Sequence, residues 1–262
     1  VRLAMMTMKG EMGIPGVLTA PQWGFYDVLF SHTNKDLALK PEEEREFKFT
    51  QPYGSYVMEN ILFKISFPAE FHSQTACECA VKLHPEVKDR LDDIEKIVIT
   101  THESAIRIIS KVGPLANPAD RDHCLQYMTA VPLIFGDLVA EHYEDEFHQA
   151  HPIIDELREK MEIVEDERYT REYLEPDKRS IANAIQVFFR DGTSTEQVAV
   201  EYPIGHRRRR EEGIPVLENK FLHNLRTRYP EWKCQAIMEL TLDQQRLEAT
   251  AVNEFMELLV AT

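Results

Sequence analysis

One short stretch limits the fold more than any other. Residues 182–201 alternate apolar and polar positions, with Ile185, Val187 and Phe189 on one side, and the pattern resumes at Val198 and Val200. Between the two runs stands Asp191-Gly192. Asp-Gly between alternating runs is a strong hairpin signature, because a tight turn needs residues that tolerate positive φ. Ile94–Thr101 is β-branched, with Ile97 and Ile99 on one side, and predicts another strand. Elsewhere the period is helical. Ala76, Ala80 and Leu83 form a stripe over 70–84, and Leu125, Met128, Val131, Phe135 and Leu138 form one over 119–139, where Pro132 predicts a kink. Helices are also predicted at 1–9, ending at Gly10, at 152–161, from Pro215 on, at 230–240 and at 250–260. The order helix, mixed middle, helix predicts a mainly helical α+β fold. Residues 1–59 and 206–262 are assigned to one helical domain, only partly present, and 60–205 to a smaller inserted α+β domain with the antiparallel hairpin.

With 30 basic against 45 acidic residues, the net charge of −15 argues against nucleic acid as a partner. No apolar run approaches the ~20 residues of a membrane helix. The four cysteines, at 77, 79, 124 and 234, show neither a CxxC spacing nor a disulfide framework, so reduced thiols are expected and an iron–sulfur cluster is not. The chain opens Val1-Arg2-Leu3 without an initiator Met or a small-residue cleavage site. No signal peptide is therefore expected, and the segment reads as part of something longer. The aromatic patch Trp23 to Phe30 reads as core packing, and residues 31–46 as an exposed excursion.

Chemistry has several candidate seats. Lys64, among large apolar residues before Phe67-Pro68, either snorkels outward or meets a partner or anionic ligand. His72 follows Glu70 at a helix start, as a surface residue or near a bound anion. His123 and Tyr127 are four apart, hence on one helix face, for proton transfer or for a local cap. Arg121 beside them can pair a carboxylate. Gly205-His206-Arg207 opens a basic run that reads as a solvated loop, a subunit contact or a carboxylate-binding patch. His102, His142, His148 and His151 lack a trustworthy ligand spacing, so no metal is predicted.

Longer strings carry a resemblance. Gly10-Glu11-Met12-Gly13, Leu18-Thr19-Ala20-Pro21 with Trp23-Gly24-Phe25-Tyr26-Asp27, and Pro52-Tyr53-Gly54-Ser55-Tyr56 come first. Phe63-Lys64-Ile65-Ser66-Phe67-Pro68-Ala69-Glu70-Phe71-His72, Asn117-Pro118-Ala119-Asp120-Arg121-Asp122-His123 with Leu125-Gln126-Tyr127, and Glu201-Tyr202-Pro203-Ile204-Gly205-His206 follow. Across nearly its whole length the chain resembles the MmgE/PrpD superfamily, with residues 31–46 closer to fungal members. The resemblance implies a helical domain with a smaller lid, usually dimeric, and a site in the cleft between them. It implies metal-free, cofactor-free dehydration of the tricarboxylate 2-methylcitrate to 2-methyl-cis-aconitate, within propionate breakdown. The related cis-aconitate decarboxylases place a lysine at the position of Lys64 and a tyrosine at that of Tyr127. Their histidine just after Phe-Pro meets a departure here, since Glu70 comes first and His72 two residues later. His72 and His123 are thus expected to transfer or orient protons, and Arg121, His206 and Arg207 to bind substrate. Family members also have an N-terminal half with further Asp, His and Lys groups of the cleft. Inactivity of residues 1–262 alone is expected, in a mitochondrial matrix if the source is eukaryotic and in cytoplasm otherwise. Rival expectations are a sister activity on cis-aconitate and a non-catalytic structural or dimerisation fragment.

Overall fold

A computed structural model describes residues 1–14, 16–30 and 65–260. The chain divides into two compact units, Val1–Met58 and Glu59–Thr262. Lys64, the excursion at 31–46 and residues 52–60 lie outside the described residues.

In the first unit, α1 (Arg2–Met8) ends where Gly10 takes φ +91°, a left-handed turn that costs glycine little. The second helix, α2, spans Phe25–Phe30. Of the aromatic patch expected to pack in the core, Trp23 is 84% and Phe25 45% exposed. At Gly24 the backbone folds back closely on Ala20. Gly24 N–H donates to Ala20 O at 2.7 Å, and a Cβ on Gly24 would meet that oxygen at 2.6 Å.

The second unit is the mainly helical α+β fold that the pattern predicts. Its sheet holds β1 (Ile94–Thr101), β2 (Met161–Glu165), β3 (Asn183–Phe189) and β4 (Val198–Val200) in the order β2-β1-β3-β4. β1 runs parallel to β2 and antiparallel to β3, and β3 is antiparallel to β4. Ile97 faces Val187 and Ile99 faces Ile185 across the ladder, all four fully buried. Gly192 at φ +82° makes the predicted turn, with Thr193 N–H donating to Asp191 Oδ1 at 2.9 Å.

Against this face packs α3 (Gln74–Val87), which in turn packs on α6 (Leu125–Phe135). The predicted stripe is buried, and so are Thr75, Cys77 and Cys79, because α3 is wedged between sheet and helix. Cys77 Sγ donates to Met128 O on α6 and Cys79 Sγ to Asn183 O on β3, two opposite sides. The long helix predicted over 119–139 is two. A one-turn α5 (Pro118–Arg121), capped by Asn117 Oδ1 accepting from Asp120 N–H, precedes α6, which stops at Gly136 (φ +79°). Extended backbone at Cys124 (φ −121°, ψ 107°) separates them, and Leu138, past Gly136, is buried without being helical.

Between the strands run α4 (Glu103–Ile109), α7 (Asp145–Ala150), α8 (Ile153–Glu159) and α9 (Glu167–Leu174). After the sheet come α10 (Arg210–Arg226), α11 (Glu231–Leu242), α12 (Gln244–Ala249) and α13 (Val252–Leu258). Leu225, Cys234 and Ile237 form a separate small core there, lined by Phe221, Tyr229 and Leu258. Among the described residues no helix is long and apolar enough to cross a membrane.

Candidate active site

Two polar clusters flank the α3–α6 core. The first begins where the extended chain leaves Phe67-Pro68. Gln74 Nε2 clamps this approach by donating to Phe67 O and Ala69 O, both at 2.9 Å. Glu70 then caps a single 3-10 turn, Phe71–Ser73, accepting the His72 backbone N–H at 2.8 Å. The same carboxylate lies 2.9 Å from His72 Nδ1. A carboxylate only accepts, so Nδ1 carries the proton, and in the neutral ring Nε2 accepts from the Tyr173 hydroxyl at 3.0 Å. Burial alone would raise the Glu70 carboxyl, but hydrogen bonding to and attraction by His72 outweigh it and hold it below its usual range. Asn183 Nδ2 ties the turn to β3, donating to His72 O at 2.8 Å and to Thr75 Oγ1 at 2.7 Å. The His72 and Glu70 side chains are 12% and 14% exposed. Behind them sits His102, fully buried, its ring stacked on Tyr173 at 4.7 Å and 5.3 Å from that of His72.

Carboxylate, imidazole and phenol in series can move a proton. With the ring protonated, Nε2–H donates to the Tyr173 oxygen and frees the phenol hydrogen for a third group. With the ring neutral, the direction reverses.

The second cluster surrounds Tyr127, which is fully buried on α6. Its hydroxyl donates to His142 O at 2.6 Å, and its ring lies against those of Tyr143 and His148. Burial pushes the phenol up to about 12. Arg121, 1% exposed, donates from Nε to Tyr143 O at 2.7 Å and pairs with Asp145. His148 stands between Arg121 Nη1 (3.4 Å) and Asp155 (3.0 Å), and Asp155 pairs with Arg158. A cavity of about 500 Å³ opens beside this network, lined by Lys111, Gln126, Asp155 and Arg158.

The candidates therefore separate. Tyr127 and Arg121 share one network, while His72 belongs to the other cluster. His123 does not share a helix face with Tyr127, because α6 starts only at Leu125, and its side chain is half exposed beside Asp122. His206 is buried against Tyr202, with Nδ1 accepting Arg208 N–H at 3.2 Å. Burial first, then Arg208, Arg207 and Arg210, push its pKa down to about 4. Arg207 is exposed. The sequence reading missed Tyr173 and Asn183 and gave His102 no role. Glu70 and His72, two apart at a helix start, were the legible signal; Tyr173 arrives from 101 residues away.

Residues 67–244 match the MmgE/PrpD C-terminal domain. The 2-methylcitrate dehydratase of Escherichia coli (strain K12) is 55% identical over 99% of this chain and 52% of its own length. That of Cupriavidus necator is 54% identical over 98% of this chain and 51% of its own. The mitochondrial 2-methylcitrate dehydratase of Yarrowia lipolytica is 54% identical over 99% and 48%. The chain spans about half the length of these curated relatives.

Proposed function

This chain belongs to the MmgE/PrpD family, and from that premise we propose that it forms part of an enzyme that removes water from 2-methylcitrate. The observation that carries the reading is identity of 54–55%, over nearly the whole chain, to enzymes of that name. The Glu70–His72–Tyr173 series supplies a fitting device.

In the reaction a proton leaves carbon next to a carboxylate, the neighbouring C–O bond breaks, and a double bond forms as 2-methyl-cis-aconitate. Hydroxide leaves poorly and must receive a proton to depart as water. We assign that donation to the relay, with His72 charged, Glu70 stabilising the charge and Tyr173 passing on its hydrogen. Lys64 is assigned to a substrate carboxylate and Tyr127 to holding the reacting geometry, both by the family resemblance. The base that takes the carbon-bound proton is assigned to the half that the relatives have in addition, which makes residues 1–262 alone inactive. A homodimer, a place in propionate breakdown, and the mitochondrial matrix in a eukaryotic source are parts of the same proposal; the Yarrowia relative is named mitochondrial.

Metal-independence belongs to it as well. An iron–sulfur cluster needs converging thiolates. Here each thiol donates to a different backbone carbonyl, Met128, Asn183, Lys111 and Tyr229. Burial raises the Cys77 and Cys79 thiols, the latter to about 12, against ionisation.

The test is turnover of 2-methylcitrate by the full-length protein, followed by NMR of the products with and without a chelator. Loss of water, insensitive to chelator, is expected. Loss of CO₂ from cis-aconitate instead would replace the reading with the sister activity, and soluble self-association without turnover would leave a structural role.

A further inference from the structure

His102 closes β1 and opens α4. Its carbonyl accepts the Ala105 and Ile106 N–H groups at 3.1 and 3.3 Å, so its backbone is fixed. The ring stacks on Tyr173 with the planes 20° apart. Nδ1 stands 3.4 Å from Thr101 Oγ1, Nε2 is buried without a hydrogen bond of ordinary geometry, and the Ala182 backbone lies close enough to the ring to favour its charged form slightly. An unpaired buried nitrogen costs stability, and phenylalanine would give the same stack without that cost. An unsatisfied atom of this kind asks for a reason. Burial, with the charge of His72 second, pushes the ring down to about 4, so it stays neutral where imidazoles ordinarily exchange protons. The titratable groups that face it are His72, Tyr173 and Glu70.

We propose that His102 is a positioning residue of this site, an uncharged polar ring that holds the Tyr173 phenol on His72 Nε2 and leaves the exchanging proton to His72. The assignment rests on the reading of His72 as the proton-transfer group. A second positive ring 5.3 Å away would repel the imidazolium, and an aliphatic side chain would free the phenol to turn. The neutral imidazole avoids both. It acts on the reaction only through Tyr173 and His72.

Two variants test this in the full-length protein, H102F and H102L, with Y173F as the reference. Expected is a fall in kcat of at least about tenfold for H102L and a smaller one for H102F, which keeps the stack, with KM within about twofold. H102F should unfold close to wild type, because it keeps the stack and gives up only a poorly paired nitrogen. Adding H102L to Y173F should lower kcat little further, since both remove one interaction. In the 262-residue chain, ¹⁵N-histidine spectra should show the His72 Nε2 signal leaving its hydrogen-bonded position in H102L and less so in H102F. Multiplicative losses of H102L and Y173F, or an unchanged kcat with unchanged His72 signals, overturn the proposal. Should H102L not fold, H102F and H102Q decide it by the same readings. A wild-type protein without turnover of 2-methylcitrate, whose His72 signal still follows residue 102, would overturn the substrate and keep the arrangement.

Discussion

The Glu70–His72–Tyr173 series and the Tyr127–Arg121–His148 network use the same kinds of side chain and end differently. In the second, the three named groups finish on the fold: Tyr127 on His142 O, Arg121 on Tyr143 O and Asp145, His148 on Asp155. In the first, the series runs from a charged carboxylate through a ring to a half-buried phenol that has a hydrogen to pass on. Residue type and spacing do not separate these cases. What separates them is whether the last group in the chain of bonds already ends on a backbone carbonyl or a carboxylate.

The largest effect should follow from cutting the first series. His72→Asn in the full-length protein should lower kcat by roughly 10²–10⁴, the usual worth of a positioned acid or base, with a melting temperature close to wild type. An unchanged kcat would place the chemistry elsewhere and erase the contrast. The mirror experiment is Arg121→Met. Here activity is secondary and stability should fall by about 2–3 kcal/mol, since a buried carbonyl and a carboxylate lose their charged donor. Chemical denaturation of the 262-residue chain measures it, and a loss below about 0.5 kcal/mol would show that the network holds nothing together.

How far the sequence foresees this depends on how local the cause is. The hairpin at Asp191-Gly192, strand β1 and the stripe of α3 follow from alternation, turn chemistry and helical period, and all are present. The stop at Gly136 was hidden because apolar spacing continues across it, from Leu125 to the non-helical Leu138. Trp23 and Phe25 misled in the opposite direction, since an aromatic-rich run reads as core and both side chains are exposed. Half of the relay was legible in Glu70 and His72. Tyr173 was not, because α9 has mostly charged neighbours and only the tertiary fold brings its hydroxyl to His72.

Tyr127→Phe sharpens the comparison, because the hydroxyl now held by His142 O is also the one that resemblance assigns to the substrate. Losing that bond should cost about 1 kcal/mol of stability. A fall in kcat/KM of more than about tenfold is expected as well, which exceeds that bond and would mean that the phenol leaves the carbonyl during turnover. If kcat/KM does not move, the second network is architecture alone.

The smallest effect at neutral pH concerns His206, a histidine closed off in the same manner as the second network. Its ring is buried and its Nδ1 already accepts a backbone N–H. Free imidazole of this kind protonates near 6.5, whereas here the pKa is pushed down to about 4. Between those values the unfolded chain binds more protons than the folded one, so stability is complete above about 6.5 and declines as the pH falls towards 4. His206→Asn keeps an acceptor at the cap and removes the titration. At pH 7 the variant should unfold within about 0.5 kcal/mol of wild type, and between pH 6.5 and 4 its stability should fall less steeply, by up to about one proton's worth of slope. Equal slopes for the two proteins would mean that the ring titrates freely in the fold, and that burial without a spare bond is not what silences a histidine here.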